Sequence, residues 1–388
     1  MSPQFIPYGR HSLGADDIQA VVEILNSGWL TQGPMVQKFE QAFASYCGAR
    51  YAVAVSSGTA ALHLAALAAG FAPGDEVITS PITFVASANC VIYVGAKPVF
   101  ADIDPKTGCL AADKILPRLT PATRGIIPVH FAGQPCNMAA IAAIAEEHDL
   151  TVIEDAAHAL GSSYTVDGHH FKTGCCAHSD MTIFSLHPVK HIAAGEGGVI
   201  TTNNKKLYKQ LCLLRSHGIV KDTERLSTNE GPWFYEMQVL GFNYRITDFQ
   251  CALALSQLKK LDAFVTRRRD IARTYKQAFQ DEPALRLIVQ CPDVSSSFHI
   301  YVILAMGLDR ADLFKALRER GIGVNVHYIP VHLQPYYRNK FGYRAGDYPL
   351  AEEYYRHAIT VPLYPAMTDD DVARVIESVR QSIKSLSR

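Results

Sequence analysis

Lys190 closes the run Ser185-Leu186-His187-Pro188-Val189-Lys190 and is followed by Gly195-Glu196-Gly197-Gly198. A lysine in an apolar loop constrained by Pro and Gly is unusual, because a buried ammonium is costly. Desolvation lowers its pKa and makes the amine nucleophilic; an ordinary surface charge is the alternative. Asp155 follows the apolar run Thr151–Glu154, with His158 one short step further on. A carboxylate at the carboxyl end of a strand can pair with a cationic ring nitrogen, or can cap a helix. Ser56-Ser57-Gly58-Thr59 separates a strand-like run from an Ala/Leu-rich helix. Small residues at a helix N-terminus offer N–H groups, hydroxyls and a partial positive charge to a phosphate, or simply cap the helix. Gly241-Phe242-Asn243-Tyr244-Arg245 reads as a polar loop or as further anion contacts, and Phe84 offers an aromatic face. An anion cradle, a carboxylate, a nucleophilic lysine and a stacking ring are what pyridoxal phosphate requires. The conjunction is far more specific than any member of it.

These residues need a scaffold that delivers them to one place. Strands are predicted at Tyr51–Val55, Glu76–Thr79, Lys97–Ala101, Arg124–Val129, Thr151–Glu154, Thr182–Phe184 and Gly198–Thr201. Helices are predicted after Thr59, from Pro81 through Val94, and from Asn137 to His148. The alternation argues an α/β fold with a mostly parallel sheet and right-handed crossovers. A long helix from Thr247 to about Phe264 follows, with Arg267-Arg268-Arg269 beyond it read as a solvated charge run. A smaller unit is then expected, with strands Phe298–Ala305 and Gly323–Tyr328 and helices Arg310–Arg320 and Asp369–Leu386. The boundary is placed near residue 260, giving domains 1–260 and 261–388.

Composition narrows the class. The chain has 388 residues, with 37 basic and 37 acidic side chains, so its formal charge is zero. A neutral chain has no electrostatic reason to seek nucleic acid or an anionic membrane. Hydrophobic residues make up 48% and charged residues 19%, which suits a large buried core. No uncharged run reaches the roughly 18 residues a membrane span needs, and the N-terminus lacks the basic flank and apolar core of a signal peptide. Nine scattered cysteines without a C-x-x-C pair read as reduced thiols in a cytoplasmic protein. Cys175, Cys176 and His178 read as buried small residues and not as a metal site. No G-x-x-x-x-G-K-[ST], H-E-x-x-H, G-x-S-x-G or G-x-G-x-x-G motif occurs in a suitable context. The missing dinucleotide motif weighs against a nicotinamide-dependent reductase, and the intact Lys190 and Asp155 weigh against a binding protein that has lost catalysis.

The sequence resembles the DegT/DnrJ/EryC1/StrS family of pyridoxal-phosphate-dependent sugar aminotransferases over nearly its whole length. The likeness runs through Gly28-Trp29-Leu30-Thr31-Gln32-Gly33-Pro34, Ser57-Gly58-Thr59-Ala60, Glu154-Asp155-Ala156-Ala157-His158, the Lys190 loop and Arg215-Ser216-His217-Gly218. The resemblance implies the aspartate-aminotransferase fold (fold type I), a mostly parallel mixed sheet flanked by helices plus a smaller α+β C-terminal domain. It also implies a homodimer with shared active sites. In this likeness Lys190 is the Schiff-base lysine and proton carrier, and Asp155 pairs with the pyridinium nitrogen. His158 stands near the ring hydroxyl and Phe84 stacks on the ring. Gly58, Thr59 and Ser185 hold the phosphate, and Asn243 reaches it from the partner subunit. Tyr8, Gly28, Trp29, Leu30, Thr31, His327, Tyr328, Ile329 and Pro330 match segments lining the nucleotide-sugar site. Some members carry His in place of the lysine and act as dehydratases; here Lys190 is present, with His187 and His191 as neighbours. Glutamate is the implied amine donor. Leu240–Asp248 and Asn325–His332 point within the family to C4 amination of a UDP-linked 4-keto-6-deoxy-N-acetylhexosamine in pseudaminic acid biosynthesis. A dTDP-sugar or UDP-pentose substrate is the alternative.

Overall fold

The computed structural model describes residues 5–387. Seven strands form the main sheet: β1 (Tyr51–Val55), β2 (Glu76–Thr79), β3 (Lys97–Phe100), β4 (Thr123–Ile127), β5 (Thr151–Asp155), β6 (Met181–Ser185) and β7 (Gly198–Thr202). Their order is β1-β7-β6-β5-β4-β2-β3. The pairs β2–β3, β2–β4, β4–β5 and β5–β6 are parallel, while β7 runs antiparallel to both β6 and β1. The segment between β6 and β7 contains no helix, so it cannot cross over to restart a parallel strand and instead turns back beside β6. Because β1 opposes β7 and β7 opposes β6, β1 and β6 point the same way. The carboxyl ends of β1, β5 and β6 therefore meet at one edge of the sheet.

Helices cover both faces: α1 (Ala15–Leu25), α2 (Pro34–Cys47), α3 (Gly58–Ala68), α4 (Ala86–Tyr93), α5 (Met138–Glu147) and α6 (Lys205–Arg215). On α2 the buried stripe Phe39, Phe43 and Cys47 repeats every fourth residue. Each phenyl so buried contributes roughly 1.5–3 kcal/mol. Helix α3 is buried nearly all round and lies between the sheet and its neighbours α4 and α6. Asp248 receives the amides of Gly33 (2.8 Å) and Met35 (3.0 Å), which caps the start of α2 from a distant part of the chain. Arg215 donates to Glu40 (2.5 Å) and to the Ala54 carbonyl (2.7 Å), tying α6 to α2 and β1.

Several element boundaries differ from expectation. The helix predicted from Pro81 begins only at Ala86, because Ser80–Val85 bends to bury Ile82 and to project Phe84. The long helix is two, α7 (Asp248–Leu258) and α8 (Leu261–Phe279). The Arg267-Arg268-Arg269 run lies inside α8 and is not a solvated face: Arg268 is 1% exposed. Its guanidinium donates to the carbonyls of Phe298 (3.3 Å), His299 (3.0 Å) and Leu363 (2.9 Å). All three contacts are made by Nη1, so one end of the guanidinium is held by carbonyls, which is why charge in the sequence does not mean solvent here.

The C-terminal segment adds a three-stranded antiparallel sheet of β8 (Leu285–Leu287), β9 (Tyr301–Ala305) and β10 (Ala358–Val361). Helices α9 (Arg310–Glu319), α10 (Pro335–Phe341), α11 (Pro349–His357) and α12 (Asp369–Leu386) accompany it. The predicted strand at Phe298 starts at Tyr301, since Phe298 turns with a positive φ of 48°. Gly323–Tyr328 makes isolated bridges only, through Asn325 to Thr360. Ile6 bridges to Ile322 and packs in the core of this segment, so the start of the chain joins its end.

The carbonyl ligation of Arg268 generates a test. Arg268→Met keeps much of the volume but leaves three carbonyls without their donor, and stability should fall by roughly 2–4 kcal/mol. Urea unfolding would show a lower midpoint at unchanged slope; a change under about 0.5 kcal/mol would contradict the ligation.

Candidate active site

The three strand ends open onto a cavity of about 540 Å³. At the end of β1, Ser57 caps α3 by accepting the Ala60 amide (3.0 Å), and its carbonyl accepts the Ala61 amide. The Gly58 and Thr59 amides have no acceptor among the described residues. A helix N-terminus with two such donors suits an anion. Gly58 cannot be larger without crowding, because a Cβ there would sit 3.0 Å from that of Ser185. Gly198 is equally constrained: a Cβ would lie 2.4 Å from the Ser57 carbonyl oxygen. The glycine run after Lys190 thus lets β7 pass under the α3 turn.

Asp155 ends β5 and is 6% exposed. Its backbone is held on both sides, donating to the Pro128 carbonyl and accepting from His130. Ser87 of α4 donates to Oδ2 at 2.6 Å, and the Thr83 hydroxyl is 2.6 Å from that of Ser87. The Ala157 amide donates to Oδ1 at 3.1 Å. Asp155 therefore accepts a local turn contact and also faces the cavity, so capping and ligand binding are not exclusive here. Its neighbour Glu154 points away into a buried pair with His130 (2.6 Å).

Lys190 lies across the cavity, its pKa pulled down to about 8 by burial, against which the Asp155 charge acts. Its Nζ stands 3.5 Å from Nε2 of His299. His158 and His299 pack with ring centroids 4.3 Å apart. Nε2 of His158 is 3.0 Å from the Tyr328 hydroxyl, while its Nδ1 has no partner. His191 donates Nε2–H to the Ser297 carbonyl at 3.3 Å. Burial first, and neighbouring cationic groups second, push His158, His191 and His299 well below the ordinary histidine range. His327, lowered to about 4 by burial and then by Lys190, donates or accepts at the Thr360 hydroxyl (2.8 Å) and packs on Tyr8. The Lys190 amine and the Asp155 carboxylate thus face each other among the imidazoles of His158, His191, His299 and His327, all lowered by burial, with Glu196 and His187 also on the cavity wall.

Of the residues singled out in the sequence, Gly58, Thr59, Asp155, His158, Ser185 and Lys190 line this cavity, joined by Tyr8, Phe84, His327 and Tyr328. Phe84 is 58% exposed, which leaves its ring free to cover a ligand. The structure does not bring Gly28, Trp29, Leu30, Thr31 or Asn243 to the cavity of their own chain. Leu30 and Thr31 are instead tied to the start of α7, through a Thr31–Thr247 bridge and a bond from the Asp248 amide to the Leu30 carbonyl, and Asn243 bridges Ser216. Ile329 is exposed beside the mouth and Pro330 is buried behind it; neither lines the cavity. Sequence reading missed Ser87, Thr83 and His299. Ser87 and His299 meet Asp155 and Lys190 only through tertiary contact, and the local Thr83–Ser87 pair gains its meaning from that contact. Cys176 is buried against Thr182 and Thr201, and the His178 ring bonds the Tyr164 hydroxyl at 2.9 Å, so this trio is engaged in packing.

The residues present fit pyridoxal phosphate. Two free amides at α3 and the Ser185 hydroxyl suit its phosphate, Asp155 its ring nitrogen, the unpartnered His158 edge a polar substituent, and Lys190 its aldehyde. This fold and site define the pyridoxal-phosphate-dependent transferases of fold type I.

Comparison with known proteins agrees. Residues 11–380 match the DegT/DnrJ/EryC1/StrS aminotransferase family. The chain is 44% identical over 385 residues to the spore coat polysaccharide biosynthesis protein SpsC of Bacillus subtilis (strain 168), covering 98% of this chain and 97% of that one. It superposes on Helicobacter pylori PseC, an aminotransferase involved in the biosynthesis of pseudoaminic acid, with TM-score 0.90 at 30% identity, covering 98% of this chain and 100% of that one. The sugar aminotransferase Spr1654 from Streptococcus pneumoniae, described as putative and solved in its PMP-form, gives TM-score 0.91 at 30% identity, again covering 98% and 100%. The chain belongs to the DegT/DnrJ/EryC1/StrS aminotransferase family and is a sugar aminotransferase.

Lys190 should show its environment directly. Competitive acetylation of the ligand-free protein, read by peptide mass, should give a Lys190 midpoint near pH 8. That is about two units below exposed lysines. Since a lowered pKa enlarges the neutral fraction, Lys190 should be the most reactive lysine at pH 8. A midpoint above 10 would contradict its burial.

Proposed function

We propose that this enzyme binds pyridoxal phosphate through Lys190 and transfers the amino group of L-glutamate to C4 of a UDP-linked 4-keto-6-deoxy-N-acetylhexosamine, UDP-2-acetamido-2,6-dideoxy-β-L-arabino-hex-4-ulose. The carrying observation is that Lys190, Asp155 and the free amides of α3 face one cavity. When bound there the cofactor supplies an electron sink and an amine carrier. Asp155 keeps a proton on the ring nitrogen through its charge, and Ser87 fixes the carboxylate that does so. Gly58, Thr59 and Ser185 hold the phosphate. Phe84, exposed at the cavity edge, would cover the cofactor ring. The Lys190 amine, near neutrality in its titration, takes and returns a proton at Nζ. Tyr8, His327 and Tyr328 line the side toward the sugar.

Two outcomes test this reading. Borohydride reduction of the cofactor-loaded enzyme should place the label on Lys190 in a peptide map, and a label on Lys172 would overturn it. Asp155→Asn should retain cofactor and lose turnover by two or more orders of magnitude, roughly the 3 kcal/mol expected for removing a charge that supports the reaction; near-normal turnover would reduce Asp155 to a turn cap.

A second reading concerns the sugar. Identity to a spore coat polysaccharide protein is higher than identity to PseC, which favours a different 4-keto nucleotide sugar feeding a polysaccharide. Amination of a panel of UDP- and dTDP-linked 4-keto sugars, read by mass and NMR, decides between them. A clear dTDP preference would refute the first choice of substrate.

We further infer a cytoplasmic homodimer built from units 1–260 and 261–388. All nine cysteines are free thiols, which suits a reducing compartment. No helix among the described residues is long and apolar enough to cross a membrane. Trp233 (72% exposed), Met237 (64%) and Leu240 (79%) form an apolar stretch that a monomer has little reason to display. Asn243 follows it, exposed and outside its own cavity. In a dimer with crossed sites, Asn243→Ala and Lys190→Ala, each impaired alone, should complement when mixed. Each heterodimer then has one site with both residues native, so activity should return to about half. Absence of rescue, with heterodimers verified by mass, would show that Asn243 does not cross the interface.

A further inference from the structure

The mechanism above leaves His299 unused, although it is the side chain that touches the Lys190 amine. Its ring is buried, its Nε2 lies 3.5 Å from Nζ of Lys190, and its Nδ1 has no partner. A buried imidazole kept for packing alone would carry an unpaired polar atom at a cost and without return. Its backbone is pinned between the segment that follows β4 and helix α8. The amide donates to the Ala132 carbonyl (3.0 Å), and the carbonyl accepts from Arg268. The preceding residue, Phe298, holds a positive φ of 48°. On the other side the His158 ring, 4.3 Å away, blocks rotation of the imidazole. The Nε2 position is therefore determined before any ligand arrives.

We propose that His299 is a positioning residue: its Nε2 accepts an N–H from Lys190 whenever that amine is free, and so turns the lone pair of the neutral amine toward the cavity. The inference rests on the assignment of Lys190 above. An ammonium and a neutral amine both carry N–H groups to donate, so a His299 protonated on Nδ1 serves both states and no proton need move within it. Through this contact the C-terminal segment, with Arg268 as its clamp, sets the aim of a lysine that belongs to the large sheet.

The contact has a sign in pH. Lys190 is faced by Asp155 and His158 from the β5 end, by His187, His191 and Glu196 from its own loop, by His299 from the segment before β9, and by Tyr8, His327 and Tyr328 from the opposite wall. Arg268 lies behind His299. Among the uncharged members of this set, an acceptor aimed at Nζ favours the ammonium more than the amine, because a charged donor makes the stronger bond. Removing Nε2 should therefore lower the Lys190 midpoint further.

The test uses full-length enzyme loaded with pyridoxamine phosphate, in which Lys190 is free. His299→Asn is too short to reach Nζ, whereas His299→Gln can put an amide oxygen near the Nε2 position. Competitive acetylation of Lys190 across pH should show the midpoint falling by about half to one unit in His299→Asn and returning at least halfway in His299→Gln. The single-turnover rate of the pyridoxal phosphate form with glutamate should fall at least about tenfold in His299→Asn, with the half-saturating glutamate concentration within about threefold, and His299→Gln should recover most of the rate. His299→Leu, if folded, should match His299→Asn. An unchanged midpoint in His299→Asn, or His299→Gln behaving no better than His299→Asn, overturns the proposal. Borohydride mapping of the pyridoxal phosphate form of each variant separates the two ideas: a label away from Lys190 defeats the cofactor assignment and this inference together, while a label on Lys190 with an unmoved midpoint defeats this inference alone.

Discussion

The chain leaving β6 has no helix with which to cross the sheet, so it must double back as β7, antiparallel to both neighbours. That reversal places the Lys190 loop over the edge where β1, β5 and β6 end. It is possible only because Gly198 has no side chain to strike the Ser57 carbonyl, and Gly197 none to strike Leu186. Lysine, carboxylate and helix N-terminus are held together by this topology and not by direct bonds among themselves. The site therefore inherits the rigidity of the sheet, and its own groups remain available to a ligand.

Electrostatics within the cavity follows from burial. Imidazoles there lose their charge because desolvation penalises the cation, and Lys190 and Arg268 add to that penalty. Lys190 is left as the group whose charge changes near neutral pH. Arg268 stays charged by binding carbonyls rather than carboxylates, which leaves Asp155 as the negative charge nearest the amine.

Not everything recognised by family resemblance sits in this cavity. Leu30 and Thr31 are tied to Asp248 and Thr247 at the start of α7, while Asn243 bridges Ser216 just after α6. Beside them, Gly33 and Met35 receive their cap from Asp248, and Gly218 lets the Val239 carbonyl approach to a distance no side chain would allow. Exposed apolar side chains, Trp233, Tyr235, Met237 and Leu240, lie just ahead of the Asn243 loop.

The sequence by itself determined the local things. Strand and helix periodicity located β1, β2 and α12 to the residue and β3 to β7, α5 and α9 to within one or two, because alternation and capping are read over a few neighbours, while α1, α2, α6, α10, α11, β8 and β10 were not read from the sequence. Asp155, Lys190 and Ser57-Gly58-Thr59 were legible because each sits where a strand ends, a position that composition marks. Other features were decided only in three dimensions. Ser87 supports Asp155 from 68 positions away, and His299 meets Lys190 across 109. Arg268 lay in a run that reads as solvated, yet it is buried, because three carbonyls converge on it from segments the sequence keeps far apart. Hydrogen-bond partners chosen across such distances depend on where the folded backbone leaves a donor or acceptor unsatisfied, and no local pattern of residues records that.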